Sequence, residues 1–226
     1  MNRLHTLAAD PAPSPLERVG VRRVNDFAIV LIGSSKGGLA ALQKLLGFLP
    51  ATFKTPVVIV QHRMESAEDL LVELLQKNTE LYLKEVEDKD IINRGVIYLA
   101  PAGYHLLIEE DHFALSTEGP VSASRPSIDV LFESAAEEFG SKVVGIILTG
   151  MNRDGAQGLK KIKEAGGITL VQDPEEAEAR QMPDAAIAAS KVDYILALEG
   201  IGRFLNSGGA APFPFPPNGG KLSVPQ

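Results

Sequence analysis

The stretch Phe27–Leu49, FAIVLIGSSKGGLAALQKLLGFL, decides the fold of this chain. Its opening run, FAIVLI, is apolar on both faces, as a buried parallel strand requires. Glycines and serines then interrupt the run, and from Leu39 the apolar residues return at helical spacing. A buried strand, a tight turn and a helix make the first half of a βαβ unit, so we expect a parallel sheet.

The same alternation continues along the chain. Short apolar runs predict strands at Phe27–Ile32, Pro56–Val60, Val96–Ala100, Val143–Leu148, Ile168–Val171 and Tyr194–Leu196. Helical spacing is found in Leu39–Phe48, Ala67–Gln76, Ile128–Glu138, Gln157–Glu164 and Asp184–Ser190. This order predicts an α/β fold: a doubly wound, mostly parallel sheet with helices on both faces. The segment GYHLLIEEDHFALSTE (103–118) predicts an antiparallel hairpin at one edge of that sheet.

The chain of 226 residues is long enough for one substantial α/β domain. We expect an N-terminal arm or linker over residues 1–25, the domain over 26–205 and a disordered tail rich in proline and glycine over 206–226. The tail contains PFPFPP, which can adopt a polyproline II helix and offer a docking segment to a partner.

The amino-acid composition argues against several classes of function. The formal net charge of −7 disfavours a nucleic acid partner, because such binding usually needs a basic face. The absence of cysteine excludes a thiolate nucleophile and thiolate metal sites. The N-terminus has no apolar core of a secretory signal, and no apolar run is long enough to cross a bilayer. We therefore expect a cytoplasmic protein with no membrane insertion.

The turn GSSKGG (33–38) fits one of three glycine-rich motifs. A P-loop would need Gly-Lys-Ser/Thr, but Leu39 and Ala40 stand in the last two places. A dinucleotide fingerprint would need glycine where Ser35 stands. The pattern G-x-S-x-G between strand and helix is that of a nucleophile elbow, with Ser35 as the reactive residue and Ser34 as a small spacer. The pattern alone also fits a small-residue turn without chemistry.

Two further polar residues follow other predicted strands. His62 comes after TPVVIVQ, and Asp154 lies in the loop after VVGIILT. The carboxyl ends of parallel strands meet at one sheet edge, so both side chains should approach Ser35. Each alone also fits a structural role, a strand-end imidazole or a helix cap. Together they supply the nucleophile, general base and base-orienting group of hydrolytic acyl transfer.

At these residues the sequence resembles the catalytic domain of the CheB-type chemotaxis protein-glutamate methylesterases. The matching motifs, in order, are IGSSKGG (32–38), VQH (60–62), VIYLAPAGYHL (96–106), RPSIDVLFESAA (125–136), TGMNRDGA (149–156), GITLVQDPEEA (167–177), MPDAAI (182–187) and VDYIL (192–196). Together they extend over most of residues 26–205.

The resemblance implies a serine hydrolase with Ser35 as nucleophile, His62 as base and Asp154 as its partner. Backbone N–H groups of Met151 and Lys36 would hold the oxyanion. The implied substrates are glutamyl γ-methyl esters on a methyl-accepting chemoreceptor, with glutamine deamidation in some members. No metal or organic cofactor is implied.

The sequence departs from the family pattern at several points. Lys36 replaces the usual threonine, Asn152 replaces a glycine and so is expected to narrow the groove, and Arg63-Met64 follow the histidine. Residues 1–25 are too few for the receiver domain usual in the family, so we expect no phospho-aspartate control within the chain. A weakly active or non-catalytic signalling module that binds a receptor or adaptor remains the main alternative, and a small-molecule hydrolase is a third.

Overall fold

The computed structural model describes residues 27–63 and 70–207. Its strands are β1 Ile29–Ser34, β2 Val57–Gln61, β3 Tyr82–Glu85, β4 Val96–Leu99, β5 His105–Glu109, β6 His112–Ser116, β7 Val143–Ile147, β8 Ile168–Gln172 and β9 Tyr194–Leu196. Its helices are α1 Gly38–Leu46, α2 Leu71–Gln76, α3 Ile128–Phe139, α4 Ala156–Glu164, α5 Gln181–Ala189 and α6 Leu198–Asn206. The predicted arm, 1–25, lies outside the described residues, and so does the predicted tail beyond Ser207.

A seven-stranded sheet in the order β3-β4-β2-β1-β7-β8-β9 forms the centre of the domain. Every pair of neighbouring strands in it is parallel. The chain leaves β1 towards β2 on one side and later returns to β7 on the other side. The carboxyl ends of β1 and β7 therefore form the topological switch point at which α/β sheets bind ligands. The predicted α/β class and parallel sheet are confirmed.

Alternate residues of β1 point into two hydrophobic cores. Val30 and Ile32 pack in a core that α1, α2 and α6 cover. Ile29 and Leu31 pack in the opposite core, which α3, α4 and α5 cover. All four side chains are fully buried, and each such burial contributes about 1.5–3 kcal/mol. This explains why β1 reads as an uninterrupted apolar run.

The predicted hairpin is present, but its position differs from the expectation. β5 and β6 form a separate two-stranded sheet instead of extending an edge of the main sheet. The apolar side of the hairpin is buried in the core that α3, α4 and α5 cover, where the ring centroids of Phe113 and Tyr98 lie 4.8 Å apart. The Ile108 N–H also donates to the hydroxyl of Ser134 on α3 (3.1 Å). Burial of these side chains thus holds the hairpin over α3, while β3 occupies the sheet edge.

Two elements were not predicted from the sequence. β3 is a short edge strand in which only Leu83 is fully buried, so its apolar pattern is weak. α6 contains Gly200 and Gly202, which lower helix propensity. Gly202 is needed for packing, because a Cβ there would lie 2.5 Å from the ring of Phe48.

Within residues 27–63 and 70–207, no helix is both long enough and apolar enough to cross a membrane.

Candidate active site

β1 runs into a tight turn that exposes one of its two serines. Ser34 is fully buried, whereas Ser35 is partly exposed and borders a cavity of about 560 Å³. Gly37 has φ 78°, a left-handed conformation that glycine adopts without strain. A Cβ on Gly38 would lie 1.9 Å from Oε1 of Gln61, so α1 can begin this close to β2 only with glycine there. The local geometry is that of a sharp strand-to-helix turn presenting Ser35.

A buried amide joins this turn to the end of β2. The Ser34 hydroxyl donates to Gln61 Oε1 (2.7 Å). Gln61 Nε2 donates to the backbone carbonyls of Ser35 and His62, each at 2.9 Å. Sequence reasoning gave Gln61 no role, although a glutamine that ends an apolar strand is a signal of such a network. Gln61 therefore fixes the two chain segments that carry Ser35 and His62.

The end of β7 holds the other side of the turn. Ser35 N–H donates to the carbonyl of Thr149 (3.0 Å), and the Thr149 hydroxyl donates to the carbonyl of Lys36 (2.9 Å). In the part of the chain that the structure describes, the N–H groups of Lys36 and Met151 have no hydrogen-bond acceptor. Both groups are thus free to donate to a ligand, as the oxyanion assignment requires. Their role stays a prediction.

His62 and Asp154 form a close pair next to the turn. His62 Nε2 lies 2.7 Å from Asp154 Oδ2. A carboxylate only accepts hydrogen bonds, so Nε2 carries the proton and Nδ1 is left as the acceptor. Among the described residues, no hydrogen bond joins Ser35 Oγ to either ring nitrogen, but Ser35 and His62 line the same cavity. Such a contact often forms only in the substrate complex.

Asp154 is fully buried against the N-terminus of α3. Its Oδ1 accepts from the Ser127 hydroxyl (2.7 Å) and the Asp129 N–H (3.2 Å), and Oδ2 also accepts from the Ile128 N–H (2.7 Å). Burial alone would raise the pKa of this carboxyl, but hydrogen bonds from His62, the Ile128 N–H and the Ser127 hydroxyl outweigh it and lower the pKa. The group therefore stays ionised. It does not cap α4, the helix that follows it, which has no side-chain cap.

A second buried carboxyl, Asp129, lies beside Asp154 and accepts from the Gly158 N–H at 2.7 Å. Burial raises the pKa of Asp129 to about 6, the Gly158 bond partly offsets this, and the Asp154 charge adds to the rise. Because the folded pKa lies above the unfolded value of about 3.9, the folded state binds more protons between these values. The free energy of unfolding contributed by Asp129 therefore falls as the pH rises from about 4 to about 6.

We predict that Asp129→Asn removes this dependence and stabilises the protein at pH 7 by about 1–3 kcal/mol. The asparagine oxygen can still accept from the Gly158 N–H, so only the charge is lost. Urea unfolding at several pH values measures the effect. Asp111→Asn, at a side chain 80% exposed, is the control. An Asp129→Asn curve parallel to that of the unmodified protein between pH 4 and 6 would contradict the assignment.

Basic side chains also border the cavity. Arg63 and Arg125 line it, and the Arg125 guanidinium donates to the carbonyls of Thr117 (3.0 Å) and Glu118 (3.1 Å). Arg180 does not line it and pairs with neighbouring carboxylates instead. Arg125, unlike Arg180, is therefore in place to contact a molecule bound in the cavity. Asn152, expected to narrow the groove, lines the cavity as well.

The fold and the site together define a doubly wound α/β protein with a serine turn and a buried His–Asp pair at its switch point. Comparison with known proteins agrees: the family model for CheB methylesterase matches residues 30–205. The chain belongs to the CheB methylesterase family.

Individual relatives show how far the similarity extends. A Leptospira interrogans protein, provisionally named protein-glutamate methylesterase/protein-glutamine glutaminase, is 49% identical over 78% of this chain and 92% of its own length. The Anaeromyxobacter dehalogenans protein-glutamate methylesterase/protein-glutamine glutaminase 2 is 39% identical over 87% of this chain and 55% of its own. The crystal structure of the Thermotoga maritima CheB methylesterase catalytic domain is 34% identical, with a TM-score of 0.77, and matches 80% of this chain and 97% of its own.

Proposed function

We propose that this protein is a serine hydrolase that demethylates glutamyl γ-methyl esters on a methyl-accepting chemoreceptor, in chemotaxis-type signalling. The observation that carries the proposal is the 2.7 Å contact between His62 and Asp154, in which His62 lines the same cavity as Ser35. The names of the relatives supply the reaction, since they give methylesterase activity on protein glutamate. They also give glutaminase activity, so hydrolysis of a receptor glutamine amide is a second reaction of the same site.

In the first half of the reaction, Ser35 Oγ attacks the ester carbonyl carbon and His62 Nδ1 takes the hydroxyl proton. Nδ1 is the acceptor because the proton on Nε2 is directed to Asp154. The Asp154 carboxylate then faces an imidazolium and stabilises it. The N–H groups of Lys36 and Met151 donate to the developing oxyanion, and each such donor is worth about 10²–10³ in rate.

In the second half, the tetrahedral intermediate collapses. His62 returns its proton to the departing alkoxide, and methanol leaves behind an acyl group on Ser35. Water attacks this ester while Nδ1 accepts its proton, and His62 then gives that proton to Ser35 Oγ as the glutamate side chain is released. With a glutamine substrate, His62 would give the same proton to the departing nitrogen, and ammonia would leave instead of methanol.

The partners and location proposed from the sequence are consistent with this reaction. We propose a cytoplasmic enzyme whose substrate is a protein and whose tail, with its PFPFPP segment, docks a second partner. The division into arm 1–25, domain 26–205 and tail 206–226 is proposed in the same sense.

Release of methanol tests the function directly. We expect the full chain to release labelled methanol from a chemoreceptor fragment whose glutamates carry labelled methyl esters. A serine-directed phosphonate should block this release and label Ser35. Hydrolysis of the small ester p-nitrophenyl acetate to p-nitrophenol, with no methanol released from the receptor fragment, would instead indicate a small-molecule hydrolase. If no methanol is released and Ser35 is not labelled, the alternative of a non-catalytic signalling module is favoured.

A further inference from the structure

Nδ1 of the His62 ring contacts two polar side chains that the reaction scheme above does not use. Asn152 Nδ2 lies 3.4 Å from His62 Nδ1, and Ser124 Oγ lies 3.5 Å from the same nitrogen. We propose that Asn152 and Ser124 act as positioning residues that hold the His62 imidazole in its reactive tautomer. This inference rests on the proposed function, because it concerns the base of that reaction.

Asn152 contacts both members of the His62–Asp154 pair. Its Oδ1 accepts from the backbone N–H of Asp154 (3.2 Å), and its Nδ2 donates to Ser124 Oγ (3.1 Å). These two bonds fix which end of the amide faces the ring, so the nitrogen, a donor only, is turned towards Nδ1. A donor at Nδ1 favours the tautomer in which Nδ1 is unprotonated. That tautomer is the one in which Nδ1 can accept the Ser35 proton.

Ser124 is held by a strained turn. Val121 and Ser124 exchange backbone hydrogen bonds of 3.2 Å and 2.9 Å around the two residues between them. Those two, Ser122 and Ala123, have φ angles of 51° and 60°, in the left-handed region. Turns of this kind usually contain Asn-Gly, and a side chain there costs about 1–2 kcal/mol. Strain of this kind persists where the surroundings hold it, often next to a functional site.

The lengths of the two contacts with His62 Nδ1 are consistent with a role in positioning the ring. At 3.4 and 3.5 Å, the contacts to Nδ1 are longer than ordinary hydrogen bonds and correspondingly weak. The Ser35 hydroxyl can therefore replace them at Nδ1 when substrate binds. Until then they orient a ring that, among the described residues, has no bond to Ser35. Asn152 stands where the family pattern has glycine, so the contact with His62 Nδ1 comes from a side chain that the family pattern lacks.

The decisive variant is Asn152→Ser. A serine hydroxyl can still accept from the Asp154 N–H, which preserves the local turn, but it is too short to reach His62. We expect kcat for ester hydrolysis to fall about fivefold to tenfold, with KM changed less than about twofold. Asn152→Asp keeps the acceptor and the shape but puts an acceptor at Nδ1, and kcat should fall further. Ser124→Ala should lower kcat less, and its effect should not add to that of Asn152→Ser.

Nitrogen NMR of the His62 ring provides a readout that does not depend on activity. The ring signals are assigned by their loss in His62→Gln. We expect one protonated and one unprotonated nitrogen in the unmodified protein, and a shift of the Nδ1 signal towards the protonated range in Asn152→Asp. Asn78→Ser, on an exposed residue remote from the site, is the control for folding and for both readouts.

The outcomes separate this inference from the proposed function. Unchanged kcat and unchanged ring signals in Asn152→Ser would overturn it, and so would a rise in KM alone, which would make Asn152 a substrate contact. If no ester is hydrolysed, the proposed function fails. The ring signals then still decide whether Asn152 sets the tautomer of His62.

Discussion

Ser35→Ala is expected to lower kcat/KM for methyl ester hydrolysis by about four to six powers of ten. The expectation follows from the turn geometry, in which Ser35 is the partly exposed residue at the cavity edge. The neighbouring Ser34 cannot replace it, because Ser34 is fully buried and bonded to Gln61. Labelled methanol release, measured at high enzyme concentration, gives the residual rate.

Ser34→Ala is the matched control, since it makes the same substitution one residue earlier. It removes the hydrogen bond to Gln61 Oε1 and should cost about 1–2 kcal/mol of stability while leaving most of the activity. Phosphonate labelling should be lost in Ser35→Ala and kept in Ser34→Ala. Equal activity loss in both variants would mean that the elbow register is wrong, and full activity in Ser35→Ala would remove Ser35 from the mechanism.

The sequence was most informative where local pattern and buried environment agree. β1 is buried on both faces, so its apolar run identifies a central parallel strand, and the glycines after it identify the turn. Once β1, β2 and β7 are known to be parallel, their carboxyl ends must share one sheet edge. That rule alone predicts that His62 and Asp154 approach Ser35.

What the sequence did not predict depends on contacts between distant segments. The hairpin position is decided by burial against α3, which the period-two pattern of β5 and β6 does not encode. The ring nitrogen that faces Asp154 is known only from the contact between His62, which follows β2, and the loop after β7. Likewise, the anchoring of Asp154 by Ser127 and the N-terminus of α3 joins parts of the chain with no shared motif. Side-chain networks of this kind require the structure.

Asp154→Asn is the second change for which we expect a large effect, because Asp154 serves both the chemistry and the fold. Its two oxygens accept four hydrogen bonds, from His62, Ser127, Ile128 and Asp129. An asparagine has one acceptor oxygen, so its NH₂ group must face either the His62 side or the Ser127 side. Facing His62, it would donate to Nε2 and favour the tautomer with the proton on Nδ1, which cannot accept from Ser35.

We therefore expect Asp154→Asn to lower kcat by about 10³–10⁴. We also expect a loss of about 1–3 kcal/mol in the free energy of unfolding at pH 7, because a buried donor then lacks its acceptor. The lowered pKa of Asp154 contributes stability above the unfolded value of about 3.9, and this contribution is lost as the pH falls through the folded pKa. The difference in stability between the variant and the unmodified protein should accordingly shrink below about pH 4.

Ser127→Ala separates the two roles of Asp154. It removes one donor to Oδ1 and the hydroxyl that caps α3, but leaves the bond between His62 and Oδ2 intact. Urea unfolding should show a comparable loss of stability, about 1–2 kcal/mol, because a cap and a buried hydrogen bond are lost. Methanol release should fall no more than about tenfold, because the pair that sets the tautomer remains. If Ser127→Ala were as inactive as Asp154→Asn, the loss of activity in both variants would result from disruption of α3. Asp154 would then have no separate role in orienting the base.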